Sequence, residues 1–251
     1  QADYLGQLNR QMALMFMDNR GTVPMAVYHT SFDADDDALG GRTNYNKLYS
    51  SYVDVKNNTN VIGITLGDWN RFLTAVELMS NEVAKITMLQ IVKKQDTFIK
   101  KVFNDLDPEQ DLLILLSASP SKEMNRQHNL MIPVIIWGKG IKPNLLSSSS
   151  TRREGLITNL DILPTILSFL DISSPLPMPG RKIFSVSTHI EDNPLEYLSI
   201  TNQKMRFIYN ARPILIKTYI GLQILTLGLV GFMLFFMPKY LLYTKHLLLF
   251  L

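Results

Sequence analysis

Asp68 offers a carboxylate and His128 an imidazole, side-chain types that can bind a divalent metal. Metal activation needs three or more such ligands converging on one point. Two are too few. Each residue also has a plainer role. Asp68 lies just before Asn70, where it would cap a helix, and His128 fits a solvated loop. Arg152 and Arg153 follow a run of four serines and Thr151, and paired guanidinium groups can grip an oxyanion bidentately. Their plainer role is a surface loop whose arginines pair with acids. Asp33, Asp35 and Asp37 match the first positions of a calcium loop, but Ala38 and Asn44 replace the glycine and glutamate such loops need, so a solvated acidic turn is expected. Ser117 and Ser119 have no nearby histidine in the sequence, so no catalytic residue is assigned. Asn57-Asn58-Thr59 fits a glycosylation acceptor, a triplet that chance also produces often.

The composition narrows the classes. The chain has 251 residues, 46% of them hydrophobic and 19% charged, with no cysteine. That excludes a disulfide scaffold, a cysteine nucleophile and a cysteine-based metal site. The net charge of +3 comes from residues 213–251, which carry Lys217, Lys239 and Lys245 and no acid. The first 212 residues then balance at 22 basic and 22 acidic side chains, leaving no basic domain for nucleic acid.

Residues 218–238 (TYIGLQILTLGLVGFMLFFMP) contain no charge and are bounded by Lys217 and Lys239. About 20 apolar residues at 1.5 Å rise cross a hydrocarbon core of roughly 30 Å. Tyr219, Tyr240 and Tyr243 fall where interfacial aromatics belong, and Gly221, Gly228 and Gly231 would admit a neighbouring helix. The apolar residues 247–251 read as the start of a second span, and both chain ends as cuts in a longer protein.

Before the span, periodicity predicts a helix over 1–18, a short strand over 23–30 and a helix over 43–55. Strands follow at 61–66, 111–117 and 133–138, with a long helical stretch over 70–106. Its apolar stripe includes Val83, Ile86, Leu89 and Val92, then Phe98, Ile99, Val102 and Phe103. Residues 147–153 read as a polar loop, and 159–170 as a helix with Pro164 in its first turns, where a missing N–H costs little. Short apolar strands alternating with amphipathic helices imply an α/β fold with a mainly parallel sheet.

The order of segments over residues 111–184 resembles the C-terminal half of the alkaline phosphatase superfamily, which includes sulfatases, phosphodiesterases and phosphoethanolamine transferases. The resembling elements are a strand ending at Ser117, PVIIWGKGI (133–141), GLITNLDILPTIL (155–167), and Pro175 through Met178-Pro-Gly-Arg181. Residues 61–72 are similar to the strand and metal loop of the same fold. The resemblance implies an alkaline phosphatase-like mainly parallel sheet flanked by helices, with its first strand and nucleophile preceding Gln1. It also implies two metals, zinc as a rule, or manganese, held by Asp and His. The departures are equally specific. An Asp followed four residues later by His is expected, but Asp68 is followed by Phe72. An Asp-His pair is expected after the central strand, but Ser117-Ala118-Ser119-Pro120 stands there. His128 is closer to the Pro133 strand than the pattern asks.

The expectation is an extracytoplasmic α/β domain over residues 1–212, a transmembrane helix over 213–238, and a loop and second span beginning over 239–251. Its partners would be the lipid bilayer and other transmembrane helices of the same protein. Its function would be a non-catalytic binding or structural module of the cell envelope, with no cofactor. The alternative is a working metal-dependent hydrolase or transferase of phosphate or sulfate esters with an altered ligand set. A weaker third reading is an accessory domain of a transporter or export system.

Overall fold

A computed structural model describes residues 2–5, 16–23, 25–27, 32–33, 39, 41–117, 120, 122–174, 177–186 and 193–236. Helices and strands are mixed. In chain order the elements are β1 (Ala2–Leu5), β2 (Met25–Val27), β3 (Phe32–Asp33), β4 (Arg42–Thr43), α1 (Tyr45–Lys56), β5 (Val61–Ile64), α2 (Asp68–Ala75) and α3 (Asn81–Asn104). Then follow β6 (Leu112–Leu116), α4 (Lys122–Arg126), β7 (Val134–Gly138), β8 (Leu146–Ser148), α5 (Ile162–Phe169), β9 (Ile183–Ser185) and α6 (Pro194–Phe236). The chain divides into two compact units. One comprises Gln1–Leu115 with Ile135–Ser185, the other Leu116–Val134 with Val186–Leu251.

In the first unit, β1 is the middle strand of a parallel sheet ordered β2-β1-β5, with Tyr4 opposite Ala26 on one side and Gly63 on the other. This corrects the helix predicted over 1–18. Residues 2–5 are strand because two distant segments offer parallel ladders, and those pairings override local periodicity. Gly63 makes room for a ring: a Cβ there would stand 2.3 Å from Phe16. The other described strands form three two-stranded sheets, β3-β4, β6-β7 and β8-β9. Parallel pairing is thus assigned to three strands among the described residues, and a single continuous parallel sheet is not what they form.

The core lies where α1 and α3 meet the sheet. Leu48, Tyr52, Val55, Phe98 and Val102 are buried together, with Val27, Ile62 and Ile64 of the strands packed against them. Helix α1 is started by Asn44, whose side chain accepts from the Lys47 N–H, and α3 by Ser80, which accepts from the Val83 N–H. Phe72 of α2 and Ile91 of α3 form a second cluster with Leu39. The stripe predicted on α3 holds at Phe98 and Val102, which are buried, and is corrected before them: Thr87 and Ile91 face inward, whereas Val83, Ile86, Leu89 and Val92 are exposed. A step of three residues drifts about 60° per repeat around a 3.6-residue helix, so those four do not share one buried face. The polar loop predicted over 147–153 begins instead as β8, because Ser147 and Ser148 pair with Phe184 and Ile183.

In the second unit α6 runs 43 residues and continues through Pro213, so it starts well before the apolar stretch and crosses the boundary expected at 212. It is long and apolar enough to cross a membrane, and only 6% of its most apolar window is buried. A core helix of a soluble domain would be mostly covered. Here Ile220, Leu222, Ile224, Leu225 and Leu227 are all exposed, which is compatible with a transmembrane helix. The Thr226 hydroxyl donates to the Leu222 carbonyl at 2.6 Å, which satisfies a polar group inside the apolar run. Residues 239–251, expected to begin a second span, lie outside the described residues.

Candidate functional site

Asp68 is the first residue of α2, held at the end of β5 by the short link 65–67. It is 1% exposed, and Gly67, not Asp68, is the N-cap. Its Oδ1 accepts from the Thr43 backbone N–H at 2.9 Å and the Thr43 hydroxyl at 2.8 Å. Its Oδ2 accepts from the Tyr45 hydroxyl at 2.7 Å. The guanidinium of Arg71, one turn along the helix, pairs with Oδ1 and also donates to the Thr43 hydroxyl at 3.1 Å. Burial pushes the Asp68 carboxyl toward neutrality, but Tyr45, the two Thr43 donors and Arg71 outweigh it and hold its pKa below the ordinary value. Burial and the bond to Asp68 push the Tyr45 hydroxyl well above its ordinary range.

This arrangement does not fit a metal ligand. Four protein donors bind the Asp68 carboxylate, three on Oδ1 and one on Oδ2. Its charge is balanced by Arg71, where a metal site would balance it with the ion. Phe72, in the place where the resemblance asks for a histidine, is buried against Leu39 and Ile91. His128 lies in the second unit, exposed, with φ +53°, its ring 5.2 Å from that of Tyr209. Among the described residues no group of three or more His, Asp or Glu side chains could hold a metal ion. Asp35, Asp37 and Ser119 lie outside the described residues.

A second buried carboxylate escaped the sequence reading. Asp161 is fully buried at the turn before α5. Its Oδ2 accepts from the Ser148 hydroxyl at 2.7 Å and the Thr158 N–H at 2.9 Å. Its Oδ1 accepts from the Ser150 hydroxyl at 2.6 Å and the Arg181 N–H at 2.9 Å. Burial opposes the charge, yet these donors outweigh it and hold its pKa far below the ordinary value. Gly180 permits this approach, since a Cβ there would stand 1.9 Å from the Leu160 carbonyl oxygen. Thr165 extends the network, donating to the Asp161 carbonyl at 2.6 Å and accepting from the Ile183 N–H at 2.9 Å.

Arg152 and Arg153 sit on the loop this network holds. Arg152 has φ +52°, and its N–H donates to the Ser148 carbonyl at 2.9 Å. Both side chains are exposed, and neither guanidinium pairs with a described residue. No family model matches the chain, and neither a curated protein nor a solved structure matches it.

Proposed function

We propose that this chain is an alkaline phosphatase-like α/β domain anchored by α6 on the extracytoplasmic face of a membrane, working without a metal centre as a binding or structural module of the envelope. The observation that supports this reading best is Asp68. The carboxylate in the position of a metal ligand is buried, accepts from Thr43 and Tyr45, and is neutralised by Arg71. Recruiting it to a cation would strand those donors in a site that excludes water, at about 1–3 kcal/mol for each. The motifs at 133–141 and 155–167 supply the architecture of the proposal, and the exposed apolar length of α6 supplies the anchor.

The test is turnover of an aryl phosphodiester by the full chain in detergent, with and without chelator. No chelator-sensitive turnover, in wild type or in Asp68→Ala, is the expected result. Chelator-sensitive hydrolysis lost in Asp68→Ala would establish the alternative, a metal-dependent hydrolase or transferase.

A further inference from the structure

We propose that the edge formed by loop 149–155 and turn 178–182 binds an oxyanion of the phosphate class through Arg152, Arg153 and Lys182. The β8-β9 register opposes Ser148 to Ile183, so the residues after Ser148 and before Ile183 leave the ladder at the same end. Ser150 and Arg181 then converge on one atom, Asp161 Oδ1, at 2.6 and 2.9 Å. The loop is braced from within. The Ser147 hydroxyl donates to the Arg153 carbonyl at 2.9 Å, and the Thr151 hydroxyl to the Leu156 carbonyl at 2.7 Å. The Ser147, Ser150 and Thr151 hydroxyls are therefore committed to shape, while the two guanidinium groups are exposed without a described partner.

The charge is one-sided. Arg181 adds a third guanidinium, tied by Nη1 to the Met178 and Gly180 carbonyls at 2.7 and 3.0 Å, and Lys182 is exposed beside it. Within the two segments the one acid is Glu154, half-buried next to Arg153, and Asp161 lies buried under four donors. Cations carried on two adjoining segments repel one another and favour an anion among them. A braced loop also loses little freedom when the anion arrives. An anion held here needs no metal, so the inference goes beyond the reading at Asp68 and stands apart from it.

The experiment uses the full chain in nanodiscs of zwitterionic lipid, with chelator throughout, titrated calorimetrically with phenyl phosphate. Saturable binding that weakens as salt rises is expected. The Arg152→Ala/Arg153→Ala double variant should lose at least tenfold in affinity. Lys93→Ala/Lys94→Ala, which removes the same charge from the exposed side of α3, should stay within twofold of wild type. Discs containing phosphatidic acid separate the sources: a weaker apparent affinity marks a lipid headgroup as the natural occupant, an unchanged one a soluble phosphate, and both support the site. Absence of saturable binding, or equal affinity in wild type and the Arg152/Arg153 variant, overturns it.

Discussion

Asp68 and Asp161 solve the same problem in different ways. Each is a buried carboxylate kept charged by hydrogen bonds, the first with help from Arg71, the second with hydroxyls and backbone amides alone. Both pKa values are lowered by folding, so both carboxylates stabilise the fold fully above the unfolded value of about 4 and lose that contribution as pH falls through their folded values. Asp161→Asn should therefore unfold more easily at pH 7, by about 2–3 kcal/mol, because charge-assisted bonds are lost and an amide N–H₂ meets donors. The same variant should show a flatter loss of stability between pH 5 and pH 3 than wild type, read by denaturant titration at each pH. An unchanged acid limb would remove Asp161 from the account. Little of this was legible in the sequence. Asp68 stands out after an apolar strand, and Arg71 at i+3 is a readable helix neighbour. Thr43 and Tyr45 lie more than twenty residues upstream and carry no spacing signal. Asp161 sits inside a recognisable motif, but its donors come from three separate segments.

At the scale of elements, the sequence is most informative where an apolar run is bounded by turn formers. Strands β5, β6 and β7 fall within the predicted ranges, α1 ends one residue beyond its range, and the stretch predicted as helical over 70–106 is interrupted between α2 and α3. Strand β1 was hidden because four residues hold too little periodicity, and its identity depends on distant pairing with β2 and β5. Strands β8 and β9 were hidden because Leu-Ser-Ser reads as loop. The apolar part of helix α6, residues 218–236, announces itself by length and absence of charge. A cation at its apolar centre should block insertion: Leu227→Arg adds about 3 kcal/mol to the insertion free energy. Wild type should resist carbonate extraction from membranes and Leu227→Arg should be released. Release of the wild-type chain would contradict the anchor.

For the whole molecule, the two units divide the work. The first carries both buried carboxylates and the basic edge; the second carries α6. Charge divides at a different place: residues 1–212 are neutral overall and the net +3 lies in 213–251. A neutral domain with one basic edge concentrates its electrostatic attraction at that edge instead of spreading it over the surface. The departures from the resemblance at Phe72 and Ser117–Pro120 leave two expected metal positions without a metal-binding side chain. The proposal of a module without a metal centre rests on two side-chain facts: Arg71 neutralises Asp68, and Phe72 belongs to the core. Metal content tests this most directly. The full chain is incubated with excess zinc or manganese, freed of unbound ion and measured by mass spectrometry for metal per chain, beside Asp68→Ala. Far less than one ion per chain, equal in both proteins, is the expected result; one or more ions per chain in wild type, lost in Asp68→Ala, would contradict it.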